Sequence, residues 1–258
     1  MTSTKKINPK DLLFLDGLRG LAALFVMMGH ARLLLWEGFN EGYIKHPESY
    51  STLHKMLVYF FSLFATKYGH QAVLFFFVLS GFVIHLKYAF RLSGDLNLKF
   101  DLGNYFVRRI RRIYPPLIFA LLLTLLLDSI GRHAGYPVYM QRSAEELSFY
   151  PRLTSNFDIK TFFGNLAFLN GTYFPSFGSN GPLWSLKFEW WFYVLYPLFY
   201  LINRKSSLVS FGVMVVFFIL SFFPGFFPLL LLHDIFSMMI CWWLGVLLAD
   251  IYSCRVNI

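Results

Sequence analysis

The stretch LDGLRGLAALFVMMGH at residues 15–30 is apolar enough to form a membrane helix, yet it contains Asp16, Arg19 and His30. On an α-helix Arg19 and His30 share one face about 16 Å apart along the axis, and Asp16 lies one turn before Arg19. An ionisable group at membrane depth costs about 2.5 to 3.5 kcal/mol on insertion scales, so such groups usually face a polar interior. The stretch therefore predicts a membrane helix with a chemically active face.

Two other interpretations compete for this helix. Lysines precede the apolar run as in a secretory signal peptide, but Asp16 and Arg19 interrupt the region that a signal peptide keeps apolar. The second interpretation is positional, with Asp16 and Arg19 at the interfacial start of the helix and His30 near its far end. The helix alone does not decide between this interfacial placement and an active face, so the choice depends on the rest of the chain.

The composition indicates a membrane protein. Hydrophobic residues make up 57% of the 258 residues and charged residues only 14%, whereas about a quarter of a soluble domain is charged. Apolar segments of about 20 residues cross a bilayer as helices, and shorter ones form re-entrant or interfacial helices. The sequence therefore predicts an all-α, polytopic transmembrane helical bundle. The six predicted spans are residues 12–35, 70–90, 113–130, 183–202, 208–223 and 227–251, and the short segments are residues 56–65 and 162–169.

The distribution of basic residues predicts the orientation. If the N-terminus is cytoplasmic, the inside segments contain more Lys and Arg than the outside segments, although the outside segments are longer. This bias is typical of cytoplasmic loops. The same rule explains the net charge of +9 without a nucleic-acid partner. We therefore expect Arg19 towards the cytoplasm and His30 towards the outer face.

The densest charge in the chain is the arginine cluster, Arg108, Arg109, Arg111 and Arg112, followed by Pro115-Pro116. Its charge alone favours an anchor for anionic lipid headgroups. The functional alternative is a phosphate clamp, because guanidinium groups pair phosphate oxygens in bidentate fashion. The proline pair is expected to interrupt the chain before the third span begins.

The fourth span places Ser185, Glu189 and Tyr193 along one helical stripe. A glutamate among aromatic residues is costly unless it is paired or protonated. One interpretation makes Glu189 a structural partner of an arginine such as Arg19. In the second span Ser80 and the neighbouring Gly81 are small, which predicts close approach of another helix.

Polar residues elsewhere receive structural interpretations. Lys187, near the outer end of the fourth span, is expected to extend its amine to the interface. Asp234 and Asp250 lie near the ends of the last span, where interfacial positions are favoured. The polar segment 131–182 is predicted to be an outer loop that covers or receives a substrate. Its Asn170-Gly171-Thr172 matches a glycosylation sequon, which is a weak pattern.

Four blocks of the sequence occur in an order that resembles acyltransferase family 3, the polytopic membrane acyltransferases that modify bacterial surface polysaccharides and related glycans. The blocks are LDGLRGLA at residues 15–22 with His30, FFVLSGF at residues 76–82, RRIRRIYP at residues 108–115, and PLWSL at residues 182–186 with Glu189 and Tyr193.

This resemblance implies transfer of an acyl group, commonly acetyl from a coenzyme A thioester, to a hydroxyl of a surface polysaccharide, lipopolysaccharide or other glycan. The implied location is a bacterial plasma membrane with a cytoplasmic N-terminus. The expected partners are acyl-CoA, a glycan or lipid-linked saccharide and the bilayer, without a tightly bound cofactor, a metal or nucleic acid. Family members usually contain about ten spanning helices, so residues 1–258 are expected to form a single domain that lacks C-terminal helices.

Acyl transfer to a hydroxyl needs a base, a stabiliser for the oxyanion and a grip on the donor. His30 is the expected base, because imidazole changes its charge near neutral pH. Arg19 and the arginine cluster are expected to hold the phosphates of acyl-CoA, and Asp16 or Glu189 to orient Arg19 or His30. Direct transfer and a covalent acyl-histidine step both remain open. The residues expected to support the substrate or the structure are Ser80, Trp184, Ser185 and Tyr193.

Two alternatives to a working acyltransferase remain. A transporter or exporter of a small solute or glycan would use Asp16, Arg19, His30 and Glu189 as an intramembrane relay. The sequence contains no inverted repeat that would favour it. The other alternative is a truncated, inactive copy of an acyltransferase.

Overall fold

The structure is a computed structural model that describes residues 9–35, 47–49, 51–60, 68–94, 100–135 and 156–256. Within these residues the regular elements are helices, as the sequence predicts. The helices are α1 (Pro9–Leu35), α2 (Thr52–Phe60), α3 (Gly69–Gly94), α4 (Leu102–His133), α5 (Ile159–Leu166), α6 (Leu183–Asn203), α7 (Ser207–Leu220) and α8 (Leu230–Tyr252), and a 3-10 turn at Pro47–Ser49 precedes α2.

Four of these helices, α1, α3, α4 and α8, are long and apolar enough to cross a membrane. Helix α7 has 14 residues and extends about 21 Å, less than the roughly 30 Å of a hydrocarbon core. Each predicted span coincides with a helix, and the short predicted segments overlap α2 and α5, although residues 61–65 lie outside the described part of the chain. The prediction of an all-α membrane protein is confirmed.

Helix α4 begins well before its predicted span of residues 113–130, at Leu102, and continues through Pro115 and Pro116. A proline inside a helix leaves the carbonyl four residues earlier without its N–H donor. Here those carbonyls belong to Arg111 and Arg112, which are exposed and can be solvated. The prediction that the proline pair interrupts the chain is therefore wrong, and the arginine cluster lies on the long helix itself.

The chain divides into two compact units. Unit 1 comprises residues 1–97 and 240–258, and unit 2 comprises residues 98–239. Unit 1 contains α1, which packs on α3, and the C-terminal part of α8. Unit 2 contains α4 to α7 and the first residues of α8. The expectation of a single domain stays a prediction.

In unit 1, α3 and α8 cross with their backbones in contact. A Cβ atom on Gly81 would lie 2.0 Å from the carbonyl oxygen of Trp242, and one on Gly245 would lie 1.9 Å from that of Val78. Neither position has room for a methyl group, so glycine is required on both sides of the crossing. The close approach predicted from Ser80 and Gly81 is present, and Ser80 is buried beside it.

In unit 2, α4 and α6 run antiparallel. Near the start of α4, the Tyr105 hydroxyl donates to the Tyr193 carbonyl oxygen over 3.0 Å. Near its end, the buried Asp128 accepts from the backbone N–H and the hydroxyl of Ser179, each over 2.7 Å. These contacts fix the middle of α6 and the segment before it relative to α4, and so set the height of each side chain between them.

The segment leading into α6 is held by its own side chains. Asp158 caps α5 by accepting from the Thr161 N–H over 2.9 Å. The pKa of Asp158 is lowered, chiefly because the Thr161 hydroxyl and backbone N–H donate to its carboxylate. The buried Asn165 amide donates to the carbonyls of Thr161 and Pro175, and its oxygen accepts from the Phe177 N–H. The described part of the predicted outer loop is thus a fixed structure.

Candidate active site

The predicted active face of α1 carries one ion pair. Arg19 lies 3.7 Å from the Asp16 carboxylate, with 17% of the Arg19 side chain exposed and 70% of that of Asp16. The Arg19 guanidinium also lies 6.0 Å from the centre of the Phe76 ring of α3. His30 is half-buried on the same helix. Asp16 therefore contacts Arg19 as the spacing predicts, and the role of His30 as base stays a prediction.

The arginine cluster separates into two kinds of residue. Arg108, Arg111 and Arg112 share an exposed face of α4. Arg109 is half-buried, and its guanidinium lies 5.4 Å from the centre of the Tyr105 ring and 5.1 Å from that of Tyr193. A guanidinium between two aromatic faces is stabilised by cation–π attraction. The sequence treats the four arginines as one group, either a lipid anchor or a phosphate clamp, whereas the structure gives three exposed cations and one packed between helices.

The start of this arginine-bearing helix is capped by Asp101. Its carboxylate accepts from the Asn104 backbone N–H over 3.0 Å and from the Asn104 side-chain amide. These hydrogen bonds are the main reason that the pKa of Asp101 is lowered. The cap fixes where α4 begins, about two to three turns before the arginines.

Glu189 is joined to Arg109 through Tyr193. The Tyr193 hydroxyl donates to the Glu189 carboxylate, and the face of the same ring lies against Arg109. Glu189 is half-buried and Tyr193 is fully buried. We call Arg109, Tyr193 and Glu189 the α4–α6 cluster. The Nε atom of Arg109 is buried and, among the described residues, has no hydrogen-bond partner.

The remaining predicted support residues make local contacts. Ser185 donates to the Pro182 carbonyl oxygen over 3.3 Å within the first turn of α6. The ring of Trp184 lies edge-on to Phe188 at 6.0 Å. Ser80 is buried next to the α3–α8 crossing. These contacts explain local packing, and a role of these residues towards substrate stays a prediction.

The predicted site residues fall into two sets. Asp16, Arg19 and His30 belong to unit 1, and the arginine cluster and Glu189 belong to unit 2. The structure brings Asp16 to Arg19 in the first set, and Arg109 to Tyr193 and Glu189 in the second. Each set is described within its own unit.

Sequence reasoning missed a polar cluster in unit 2. Lys187 is buried, and its Nζ atom donates to Thr172 Oγ1 and to Asp234 Oδ2, each over 3.0 Å. We call these three residues the Lys187 cluster. Its members lie 15 and 47 residues from Lys187 along the chain, so no local pattern reveals the pairing. The only available signal was a lysine inside a span, which a buried partner explains better than extension to the interface.

A second missed cluster lies in unit 1. The buried Asp250 of α8 accepts from Arg255 over 2.6 Å, and the Nε2 atom of the buried His85 lies 2.9 Å from the same carboxylate oxygen. This arrangement compensates a carboxylate that would otherwise be costly away from water. Asp250 lies near the end of α8 as predicted, but its side chain is buried among protein partners.

Comparison with known proteins decides the family. A family model described as an acyltransferase domain matches residues 12–253, which is nearly the whole chain. The chain belongs to this acyltransferase family. Over 208 residues it is 29% identical to the peptidoglycan O-acetyltransferase OatA of Listeria monocytogenes, covering 80% of this chain and 26% of that protein. Over 150 residues it is 29% identical to the putative peptidoglycan O-acetyltransferase YrhL of Bacillus subtilis, covering 55% and 22%.

The acyltransferase chain spans about a quarter of the length of these curated relatives. No solved structure gives a significant match to it. The family match includes all four blocks on which the sequence resemblance depends, and it covers both sets of predicted site residues. The acyltransferase domain is therefore an integral membrane protein. Its candidate site residues are Asp16, Arg19 and His30 in unit 1, and the arginine cluster, Glu189 and Tyr193 in unit 2.

Proposed function

We propose that this protein transfers an acetyl group from acetyl-CoA to a hydroxyl of a cell-surface glycan, with peptidoglycan as the first candidate acceptor. The observation that carries the proposal is the acyltransferase family match over residues 12–253. The names of both relatives support acetyl as the acyl group and peptidoglycan as the acceptor. The exposed arginines of α4 support a donor that carries phosphates.

In the proposed reaction His30 takes the proton of the acceptor hydroxyl while the oxygen attacks the thioester carbonyl. The carbon–oxygen bond forms, the carbon–sulfur bond breaks, and the imidazolium returns its proton to the coenzyme A thiolate. Guanidinium groups such as Arg19 stabilise the negative charge that develops on the carbonyl oxygen. An acyl-histidine intermediate is the alternative route to the same products.

The donor is proposed to be held by Arg108, Arg111 and Arg112. Their exposed face on α4 offers three guanidinium groups at helical spacing, and each can pair two phosphate oxygens. With a cytoplasmic N-terminus this end of α4 faces the cytoplasm, where acyl-CoA is found. The thioester then extends towards the outer half of the membrane, where the glycan arrives.

The experiment that tests the proposal measures label transfer. The full chain is purified in detergent and incubated with acetyl-labelled acetyl-CoA and a soluble peptidoglycan fragment, and the acetylated product is detected by mass spectrometry. We expect a product whose label is released by mild alkali, as an O-acetyl ester requires. His30→Ala should lower the rate at least about 100-fold, the usual contribution of a general base.

The matched control is His54→Ala. His54 is an exposed histidine of α2 whose ring contacts Ser51, so its loss should leave the rate unchanged. Full activity of the His30→Ala protein would remove the base assignment. An absence of label transfer by the wild-type chain, together with uptake of a solute into vesicles, would favour a transporter.

A further inference from the structure

The Lys187 cluster lies on the side of α6 opposite Glu189, because residues two positions apart on an α-helix point about 200° apart. The cluster therefore lies apart from the α4–α6 cluster, although the two are close in height along α6. It joins three elements of unit 2, namely α6, the turn at residues 170–174 and the first turns of α8. The proposed acyl transfer gives these residues no task.

The Lys187 cluster contains a carboxylate oxygen that is available as a hydrogen-bond acceptor. Asp234 Oδ2 accepts from both Lys187 and Thr172. Among the described residues, its other oxygen, Oδ1, has no hydrogen-bond partner, and 38% of the Asp234 side chain is exposed. A carboxylate held through one oxygen thus presents the second oxygen, with its lone pairs, to a molecule outside.

The turn beside the cluster supplies an unused donor. Asn170 is 2% exposed, and in the described part of the chain its Nδ2 amide has no hydrogen-bond partner. Native proteins seldom leave a buried amide donor unpaired, so such an atom calls for an explanation.

The turn brings its backbone close to Lys187 at Gly171. Gly171 has φ +75°, a conformation that glycine adopts without strain, and its N–H donates to the Phe174 carbonyl oxygen over 2.7 Å. A Cβ atom at this position would lie 3.7 Å from Lys187 Nζ. Asn170 and Thr172 therefore flank a residue without a side chain, directly beside the lysine.

The charges of the cluster indicate the kind of ligand. The charges of Lys187 and Asp234 neutralise each other, so the cluster has no net charge that would attract an anion or a cation. The remaining groups are an amide donor and a carboxylate acceptor, which match the hydroxyls of a neutral sugar. We propose that the Lys187 cluster together with Asn170 binds a neutral sugar unit of the acceptor glycan; this inference rests on the proposed function. The first turns of α6 and α8 face the outer side in the predicted orientation.

The experiment measures sugar binding without the donor. The full chain, purified in detergent, is titrated with chitotetraose, a soluble and neutral oligosaccharide, by calorimetry, and the unfolding temperature of each variant is recorded. Asp234→Asn and Thr172→Val should each weaken binding about tenfold, the effect of losing one hydrogen bond in a charge-assisted network. Thr172→Ser keeps the hydroxyl and should bind as the wild type does.

Ser179→Ala is the matched control. It removes a hydroxyl that donates to a buried carboxylate of the same unit, that of Asp128, so it should lower the unfolding temperature and leave the affinity for chitotetraose unchanged. If Asp234→Asn fails to fold, Thr172→Val, which is nearly equal in shape to threonine, still decides the question.

The inference is overturned if Thr172→Val binds chitotetraose as tightly as the wild type does, since the cluster is then a structural ion pair. It is equally overturned if the wild-type chain does not bind chitotetraose. The binding assay contains no acetyl-CoA and is therefore independent of the label-transfer assay. A wild-type chain that binds chitotetraose but transfers no label in that second assay would contradict the proposed reaction and leave this subsite standing. If the wild-type chain transfers acetyl groups and both variants bind chitotetraose with unchanged affinity, the proposed reaction stands and this subsite is overturned.

Discussion

Arg109 and its three arginine neighbours have different surroundings, and we expect different consequences from their loss. Arg108, Arg111 and Arg112 present exposed charges on one face of α4. Arg109 lies between two tyrosine rings, one of which holds Glu189. An exposed arginine contributes mainly to binding a charged ligand, whereas Arg109 also positions α6 against α4.

Replacing Arg111 and Arg112 by glutamine should raise the KM for acetyl-CoA about tenfold or more, because each loses charged hydrogen bonds to phosphate. The kcat should change little, since these contacts are made equally before and during the reaction. Steady-state kinetics of acetyl transfer measures both constants. Lys205→Gln, which removes an exposed cation at the turn after α6, is the control. An unchanged KM would favour the interpretation of the cluster as a lipid anchor.

Glu189 and Tyr193 should act as one unit in catalysis. Glu189→Leu removes the acceptor and Tyr193→Phe removes the donor of the same hydrogen bond, and each should lower kcat about tenfold. The double variant should be about as active as either single variant, because the shared interaction is lost only once. Tyr173→Phe, which alters an exposed tyrosine of the same unit, should have no effect. Multiplicative losses in the double variant would contradict the coupling.

At the scale of elements, the crossing of α3 and α8 depends on two glycines. Gly81→Ala and Gly245→Ala would each place a methyl group about 2 Å from a carbonyl oxygen, and overpacking of this kind costs about 1 to 3 kcal/mol. The unfolding temperature in detergent should fall for both variants. Gly212→Ala in α7, which meets no atom within 4 Å, should leave it unchanged or raise it. Equal behaviour of all three variants would mean that the helices do not cross in contact.

The cap of α5 should give the protein a defined sensitivity to acid. Because the pKa of Asp158 is lower in the folded chain than in the unfolded chain, its contribution to stability is present above about pH 4, the ordinary value. It is lost as the pH falls through the lowered pKa. Thermal unfolding measured from neutral to acidic pH should show a smaller decline in Asp158→Ala than in the wild type. If the unfolding temperatures of the two proteins decline equally with falling pH, the Asp158 carboxylate contributes nothing to the acid sensitivity.

The sequence predicts elements well and distant pairings poorly. Apolar length alone places the six main helices, because a membrane helix must satisfy its backbone internally. The course of α4 through Pro115 and Pro116 depends on whether the freed carbonyls can be solvated, which the sequence does not state. The pairings of Lys187 with Asp234 and of His85 with Asp250 join residues 47 and 165 positions apart, and no local periodicity reports on them.

The candidate site was predictable to the same limited extent. Spacing on one helix correctly places Asp16 next to Arg19 and Glu189 next to Tyr193, because residues three or four apart on a helix are neighbours. It also places Arg108, Arg111 and Arg112 on one face and leaves Arg109 off that face, but it does not show which face of α4 meets α6. Only the packed structure supplies that information.

At the scale of the whole molecule, the chain is a basic, apolar membrane protein, and the proposed function requires it to connect a donor on one side of the bilayer with an acceptor on the other. Its net charge is +9 and its mean hydropathy is +0.53. Exposed guanidinium groups lie near the start of α4, and the Lys187 cluster lies near the starts of α6 and α8. In the predicted orientation α4 begins on the inner side of the membrane, and α6 and α8 begin on the outer side.

The most direct test of this account uses vesicles with the protein inserted in one known orientation. Acetyl-CoA is supplied on the side of the α4 arginines and chitotetraose on the other side, and then the two are exchanged. The account predicts acetylated sugar only in the first arrangement, and none from a His30→Ala protein. Product formed only when both substrates share one side, or formed equally well in the exchanged arrangement, would contradict it.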